Sequence, residues 1–230
     1  MFVRVPLAQG RAVELDAGQA NYLGNVMRLG PGAQVLLFDG ASGEWLARVT
    51  EAGRKRMTLA VEQRTRELEQ VPELTLAFAP VKRAQVDWLV EKATELGVAR
   101  LQPVVTQRTV VERVKLERLE AIAIEAAEQC GRTLVPMLAE PVSLTAFLKS
   151  AGGTLYFADE TGGEPVSTAF QPGPATILTG PEGGFTDEER AAIRALPNAR
   201  AVSLGPRILR AETAALAAVA AYMALAGDWR

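Results

Sequence analysis

The sequence predicts an α/β protein in which a small β-rich N-terminal domain precedes a larger domain of alternating strands and helices. Short alternating strands and glycine turns fill residues 1–63, a pattern typical of a small barrel. After residue 73, apolar strands alternate with amphipathic helices, which favours a mostly parallel sheet covered by helices on both faces. The polar stretch 64–73 separates the two patterns, and we therefore place the domains at 1–70 and 71–230.

The N-terminal elements follow from alternation and turn chemistry. Strands are predicted at 2–5, 12–15, 34–38, 44–50 and 57–63. Asp16 is a natural N-cap for a short helix that contains Tyr22 and Leu23. The run Asp39-Gly40-Ala41-Ser42-Gly43 is a hairpin turn signal.

The elements of the second domain follow from apolar runs, helical periodicity and terminal glycines. Strands are predicted at 74–79, 101–105, 154–158, 175–179 and 201–204. Helices are predicted at 82–96, 115–129, 142–149, from 187 to about 196, and from about 211 to 226. The last helix is apolar on nearly all sides, so it must be buried, either within the chain or in a dimer interface.

Composition excludes several classes of chemistry. The 230 residues have a net charge of −2, no histidine and one cysteine, which removes histidine triads, histidine metal sites and disulfide frameworks. We expect no metal, and we expect Cys130 to be a small buried side chain. We also expect a cytoplasmic protein without a membrane segment, because a bilayer span needs about 20 apolar residues and the longest apolar run is 214–226.

A strand, a glycine turn and a helix start follow one another in ATILTGPEGGFTDEE, residues 175–189. Thr186 and Glu189 have the spacing of a capping box. Glycines admit a ligand close to the backbone, but Glu182 and the acids of the first helical turn would repel a pyrophosphate. The turn also lacks the G-x-G-x-x-G spacing of a dinucleotide-dependent oxidoreductase. A neutral or cationic ligand and a purely structural connection both stay open at this point.

Two other strand ends are expected beside this turn. Ala158-Asp159-Glu160 follows one strand, and Leu204-Gly205-Pro206-Arg207-Ile208-Leu209-Arg210 follows another. Ligands of open α/β sheets bind beyond the carboxyl ends of the strands. Apolar side chains and backbone amides at these ends suit a nucleoside.

LTGPEGGFTDEE (178–189) and LGPRILRAETAALAA (204–218) resemble the two cofactor motifs of the RsmE family of SPOUT-class methyltransferases. VEKATELGV (90–98), AIEAAEQCGRTLVP (123–136) and YLGNVMRLGPGAQVLLFDG (22–40) agree with that family, so the resemblance covers nearly the whole chain. Two positions depart from the family pattern: Asn21 stands where histidine is common, and Arg108-Thr109 replaces an Arg-Ser pair.

The resemblance implies a PUA-like β-barrel followed by a SPOUT α/β domain with a C-terminal trefoil knot. It implies methylation of N3 of a uridine in small-subunit ribosomal RNA, free or in the assembled subunit, by a homodimer that uses S-adenosylmethionine. Carried over by motif position, the cofactor residues are Leu178, Thr179, Gly180, Glu182, Gly183, Gly184, Leu204, Gly205, Ile208, Leu209 and Arg210.

Two residues are candidates for the chemistry of that reaction. Uridine N3 must lose a proton, so Arg210 is predicted to stabilise the developing anion and Glu182 to act as base or to hold the cofactor. Arg207 and Arg210 have the alternative of an ion pair with Glu212.

RNA contacts are expected from basic side chains, each of which has the alternative of being a solvated surface charge. The candidates are Arg4, Arg28, Arg54, Lys55, Arg56, Lys82, Arg83, Lys92, Arg108 and Arg132. A non-catalytic RNA-binding or ribosome-assembly protein and a methyltransferase of the ribose 2′-O are the alternative functions.

Overall fold

The computed structural model describes residues 1–53, 56–110 and 113–229. They divide into two compact units, one formed by Met1–Gln70 with Ala127–Val135, the other by Val71–Ala126 with Pro136–Arg230. The first unit therefore includes a segment from the middle of the chain that no local sequence pattern indicated.

The first unit contains a four-stranded antiparallel sheet. Its strands are β1 (Ala12–Glu14), β2 (Gln34–Phe38), β3 (Glu44–Ala52) and β4 (Met57–Arg66), in the order β1-β4-β3-β2. Alternate side chains of β4 are buried at Met57, Leu59 and Val61, and this period of two places one face of the strand against the core.

The predicted strand at 2–5 is reduced to one bridge between Phe2 and Phe38. The chain leaves the sheet edge there because Pro6 has no N–H to donate, and the next N–H, that of Leu7, donates to Asp39 Oδ2 at 2.8 Å. In contrast, β4 runs three residues beyond its predicted end, into the polar stretch taken as the domain boundary.

Asp16 caps helix α1 (Ala17–Asn21) in a capping box with Gln19. A π-helical turn (Tyr22–Val26) continues the helix, and the N–H of Met27 donates to the carbonyl of Tyr22 at 2.9 Å. The next residue, Arg28, has a φ of 57°, which ends the helical segment.

The second unit is built on a parallel sheet. Its strands are β5 (Leu74–Phe78), β6 (Arg100–Val105), β7 (Met137–Leu138), β8 (Val142–Ser143), β9 (Thr154–Ala158), β10 (Glu164–Pro165), β11 (Ala175–Thr179) and β12 (Ala199–Ser203). The order is β10-β12-β9-β11-β5-β6-β7, with β8 also paired to β6. The two-residue strands β7, β8 and β10 escaped prediction because so short a segment has no periodicity to detect.

Six helices follow in the described part of the chain after residue 71. All belong to the second unit except the last residues of α3, which belong to the first. They are α2 (Arg83–Glu95), α3 (Leu116–Cys130), α4 (Leu144–Ser150), α5 (Val166–Ala169), α6 (Asp187–Arg194) and α7 (Ala211–Leu225). Helix α7 packs on α2, α5 and strands β5, β9 and β11, so contacts within the chain bury most of its surface. The predicted α/β fold is confirmed, whereas the trefoil knot stays a prediction.

The structure bears on three expectations drawn from composition. The prediction of a buried Cys130 is wrong: its side chain is exposed at the last residue of α3. Within the described ranges, every helix falls short of what a membrane span requires. The same part of the chain contains no cluster of three side chains suited to a metal ion.

Candidate functional site

A cleft of about 500 Å³ lies beyond the carboxyl ends of β9, β11 and β12. This volume is within the range of small-molecule sites. Its walls are Ala158, Asp159, Glu160, Gly162, residues 179–184, residues 202–211 and Ala214. The three strand ends singled out in the sequence therefore meet in one cavity, as expected for an open α/β sheet.

The glycine turn has no room for larger side chains at two positions. A Cβ on Gly184, which has a φ of +66°, would lie 2.4 Å from Glu160 Oε1. A Cβ on Gly180 would lie 3.2 Å from the ring of Phe185, which is itself fully buried in the core beside Phe157. Packing against both neighbours therefore fixes the turn in a shape that leaves its backbone open to the cleft.

The helix after the turn is capped and tied to the neighbouring loop. Thr186 and Glu189 form the predicted capping box at the start of α6. Glu189 is only 6% exposed, and its Oε1 also accepts the N–H of Gln107 at 2.8 Å. Arg108 Nη1 donates to the carbonyl of Gly183 at 2.6 Å. The loop after β6 thus holds the end of the glycine turn and the start of α6.

Asp159 anchors the acidic wall of the cleft. Its carboxylate accepts hydrogen bonds from the backbone and hydroxyl of Thr161 at 3.0 and 2.7 Å, and from Arg194 Nη2 at 2.7 Å. Arg190 lies 3.4 Å away and also pairs with Glu160. Burial raises the pKa of Asp159, but these bonds and charges outweigh it, so the pKa lies below its usual value. Asp159 is therefore ionised at neutral pH and holds α6 to the end of β9.

The opposite wall is an apolar and basic loop. Ile208 is 89% exposed, and Arg207 and Arg210 are exposed without an ion pair to any described residue. Glu212, by contrast, is only 8% exposed in the first turn of α7. The alternative ion pair between these arginines and Glu212 is thus absent from the described part of the chain. Both guanidinium groups are available to a ligand.

Of the residues predicted to bind cofactor, all but one line the cleft. The exception is Leu178, whose side chain is fully buried in the core with Ala77, Phe157 and Phe185. Asp159, Glu160 and Arg207 also line the cleft; the sequence placed them at the strand ends beside the glycine turn but did not assign them to the cofactor. Gly162 is a lining residue that no sequence signal indicated.

The cleft has the chemical features that S-adenosylmethionine requires. Glu182 provides an exposed carboxylate that would complement a cationic ligand, and Leu204, Ile208 and Leu209 offer apolar surface for an adenine ring. Gly180, Gly183 and Gly184 line the cleft, where the lack of a side chain lets a ligand approach the backbone. Each residue's role in binding stays a prediction.

The predicted RNA-contact residues differ in exposure and in their partners. Arg4, Arg28, Lys82 and Arg83 are exposed, while Arg54 and Lys55 lie outside the described residues. Arg56 lies 3.5 Å from Glu14, and Lys92 pairs with Glu91 and Glu95, which raise its pKa to about 12.

Arg108 and Arg132 have structural partners instead. Arg108 binds the glycine turn, as described above. Arg132 is only 7% exposed, and its Nε pairs with Glu69 at 3.0 Å. A side chain so deeply buried has no surface to offer RNA, and we correct its interpretation to a structural ion pair.

Comparison with known proteins identifies the class. Residues 67–223 match the family model of an RNA methyltransferase domain, and residues 15–62 match that of an RNA methyltransferase PUA domain. A crystallised protein of Legionella pneumophila, described as a methyltransferase in complex with SAM, is 30% identical with a TM-score of 0.91, covering 99% of this chain and 97% of that one. The fold is thus that of an RNA methyltransferase.

Relatives define the family more closely. Ribosomal RNA small subunit methyltransferase E of Rickettsia conorii is 30% identical over 96% of this chain and 93% of its own. The protein of the same name from Neisseria gonorrhoeae, crystallised with S-adenosylmethionine, is 31% identical with a TM-score of 0.89, covering 100% and 98%. The chain belongs to the ribosomal RNA small subunit methyltransferase E family.

Proposed function

We propose that this protein transfers a methyl group from S-adenosylmethionine to N3 of a uridine in small-subunit ribosomal RNA. The observation that carries the proposal is the meeting of the glycine turn with the 204–210 loop in one cleft. Relatives named as small-subunit rRNA methyltransferases match nearly the whole chain, and two similar structures contain the cofactor. The choice of N3 of uridine as the methylated position is based on the resemblance of the motifs to the family.

The residues of the cleft divide the work between binding and chemistry. The cofactor supplies an electrophilic methyl group on a cationic sulfonium. The turn 179–184 and the loop 204–209 hold it, and Glu182 complements its charge. Positioning of this kind contributes about 7–11 kcal/mol in ideal intramolecular systems.

Arg210 has the role of stabilising the uridine as it loses its proton. Uridine N3 carries a proton at neutral pH, and the ring becomes anionic when that proton leaves. The exposed guanidinium of Arg210 on the cleft wall supports pairing with that anion. Glu182, which is also exposed on the wall, is the proposed acceptor of the proton, since the sequence has no histidine.

Substitution of Arg210 tests this proposal. We expect Arg210→Ala to abolish methyl transfer to small ribosomal subunits while S-adenosylmethionine affinity stays within about tenfold, or 1.4 kcal/mol. Arg200→Ala is the control, since it removes an exposed arginine of β12 that is not among the cleft-lining residues. Near-normal turnover of Arg210→Ala would rule out the role of this residue.

Mass spectrometry of the modified nucleoside tests the reaction itself. We expect N3-methyluridine in small-subunit rRNA treated with the wild-type protein and cofactor. A ribose 2′-O-methyl product would replace the proposed position, and cofactor binding without any product would favour the non-catalytic RNA-binding alternative.

Assembly and location follow from the family and substrate. A homodimer is supported by the family resemblance. Light scattering of the purified protein measures this directly. A substrate within the small ribosomal subunit supports a cytoplasmic location.

A further inference from the structure

A second, smaller cavity lies at the same edge of the parallel sheet. Its volume is about 120 Å³, below the range of sites that enclose a whole small molecule. It is therefore suited to one chemical group of a larger ligand. Four cationic side chains surround an apolar wall in this cavity, which we call the basic pocket: Arg83, Arg113, Lys115 and Arg118, with Pro80, Val81, Val86 and Val114.

The charges of the basic pocket are only partly neutralised. Asp87 Oδ2 contacts Arg118 Nη1 and lies 3.9 Å from Arg83 Nε. Arg113 and Lys115 form no ion pair with any described residue. The Nε of Arg118 is buried and has no acceptor within the described ranges. Four cations against one carboxylate leave a net positive site with donors to spare.

The start of α2 adds to the same positive field. Its N-cap, Lys82, provides no side-chain cap, and the first turn contains no acid. The first backbone N–H groups of a helix lack intrahelical acceptors and favour anions. This contrasts with α6, where Asp187, Glu188 and Glu189 occupy the first turn.

The basic pocket lies next to the cofactor turn. The N–H of Ala79, which precedes the pocket's Pro80, donates to the carbonyl of Thr179 at 3.0 Å. On the other side, Arg108 of the loop that leads to Arg113 binds the Gly183 carbonyl. The glycine turn thus separates the cofactor cleft at β9, β11 and β12 from the basic pocket at β5 and β6.

We infer that the basic pocket binds a backbone phosphate of the substrate RNA and so orients the strand toward the cofactor cleft. The inference rests on the proposed function, because it assigns an RNA ligand. A cationic sulfonium is repelled by this pocket, whereas a phosphate matches its charge, its donors and its size. RNA and free phosphate share this chemistry, and the pocket's position beside the cofactor turn favours RNA.

The test compares two double variants that remove the same charge. Arg113→Gln with Lys115→Gln neutralises the unpaired side of the pocket and leaves the Arg118–Asp87 contact intact. The control, Arg100→Gln with Lys149→Gln, removes two exposed cations near the amino ends of β6 and β9. Arg100 is the first residue of β6, and Lys149 lies in α4, before β9. Circular dichroism confirms folding of both proteins before use.

RNA affinity is measured against salt concentration with small-subunit rRNA. We expect the pocket variant to reduce the slope of log Kd against log salt by about 0.7–0.9, which corresponds to one phosphate contact. We also expect a higher KM for rRNA at nearly constant kcat and unchanged affinity for S-adenosylmethionine. The control variant should match the wild type in all three measurements.

Each other outcome is decisive. An unchanged slope in the pocket variant overturns the inference even if the wild type methylates rRNA normally. A reduced slope in a protein without methyltransferase activity leaves the pocket assigned and refutes only the proposed function. If calorimetry detects tight binding of inorganic phosphate that the pocket variant loses while the RNA slope is unchanged, free phosphate replaces RNA as the ligand.

Discussion

Asp159→Asn is the substitution with the largest expected effect on the framework of the cleft. The Asp159 side chain is fully buried, and its carboxylate pairs with Arg190 and Arg194 of α6. Asparagine keeps an oxygen for the two hydrogen bonds from Thr161. However, its amide is neutral, and the NH2 group that then faces the arginines cannot accept their hydrogen bonds. The variant therefore isolates the ionic contribution at nearly constant shape.

The loss of stability expected for Asp159→Asn depends on how exposed its two arginine partners are. Removal of one partner of a buried ion pair costs about 3–5 kcal/mol. Arg194 is 49% exposed and regains water, whereas Arg190 is 13% exposed and keeps Glu160 as a partner. We therefore expect a loss of about 2–3 kcal/mol, closer to the value of one charge-assisted hydrogen bond. For a chain of this size that corresponds to a decrease in Tm of roughly 4–12 °C.

Denaturant unfolding and thermal melts of wild type and variant provide the assay. Asp187→Asn is the matched control, because Asp187 is exposed in the first turn of the same helix and should cost less than about 1 kcal/mol. We also expect weaker S-adenosylmethionine binding by Asp159→Asn, since α6 and the end of β9 are no longer tied together. A loss below about 0.5 kcal/mol, within the range of ordinary surface substitutions, would refute this account of the acidic wall.

Three further predictions concern the pH dependence of stability, the hydrogen bond from Arg108 to the Gly183 carbonyl, and Gly184 in the glycine turn. Because the pKa of Asp159 is lowered in the folded protein, its stabilisation is present above the ordinary value of 3.8 and is lost as pH falls through the folded value. The difference in unfolding free energy between wild type and Asp159→Asn should shrink below about pH 4, and a constant difference would exclude the ionic explanation. Arg108→Ala should weaken S-adenosylmethionine binding by about 1 kcal/mol and leave the salt dependence of RNA binding unchanged, whereas a direct RNA contact predicts the reverse. Gly184→Ala should cost about 1–2 kcal/mol from its positive φ alone and lower cofactor affinity in calorimetry by displacing Glu160. Gly10→Ala, with a φ of +80° and open space around it, should show the strain without the loss of affinity.

The α/β class and the location of the cleft were predictable because their signals are local. The five residues of β11 are all buried, and they stand in the sequence as an apolar run followed by a glycine turn and a capping box. Hydrophobic period, turn glycines and caps each depend on residues within a few positions of one another. The carboxyl ends of parallel strands share an edge, so the cleft could be placed without coordinates.

The sequence by itself determined the class of fold, the two segments that line the cleft and the absence of histidine chemistry. Only the tertiary structure decided which charges are engaged. Arg108 and Gly183 are 75 positions apart, Arg194 and Asp159 are 35 apart, and Arg132 and Glu69 are 63 apart. No periodicity connects residues at such distances, because the packing of strands and helices alone brings them together. For the same reason the sequence could not distinguish Arg108, which binds the glycine turn, and the buried Arg132 from the unpaired Arg113 and Lys115 of the basic pocket.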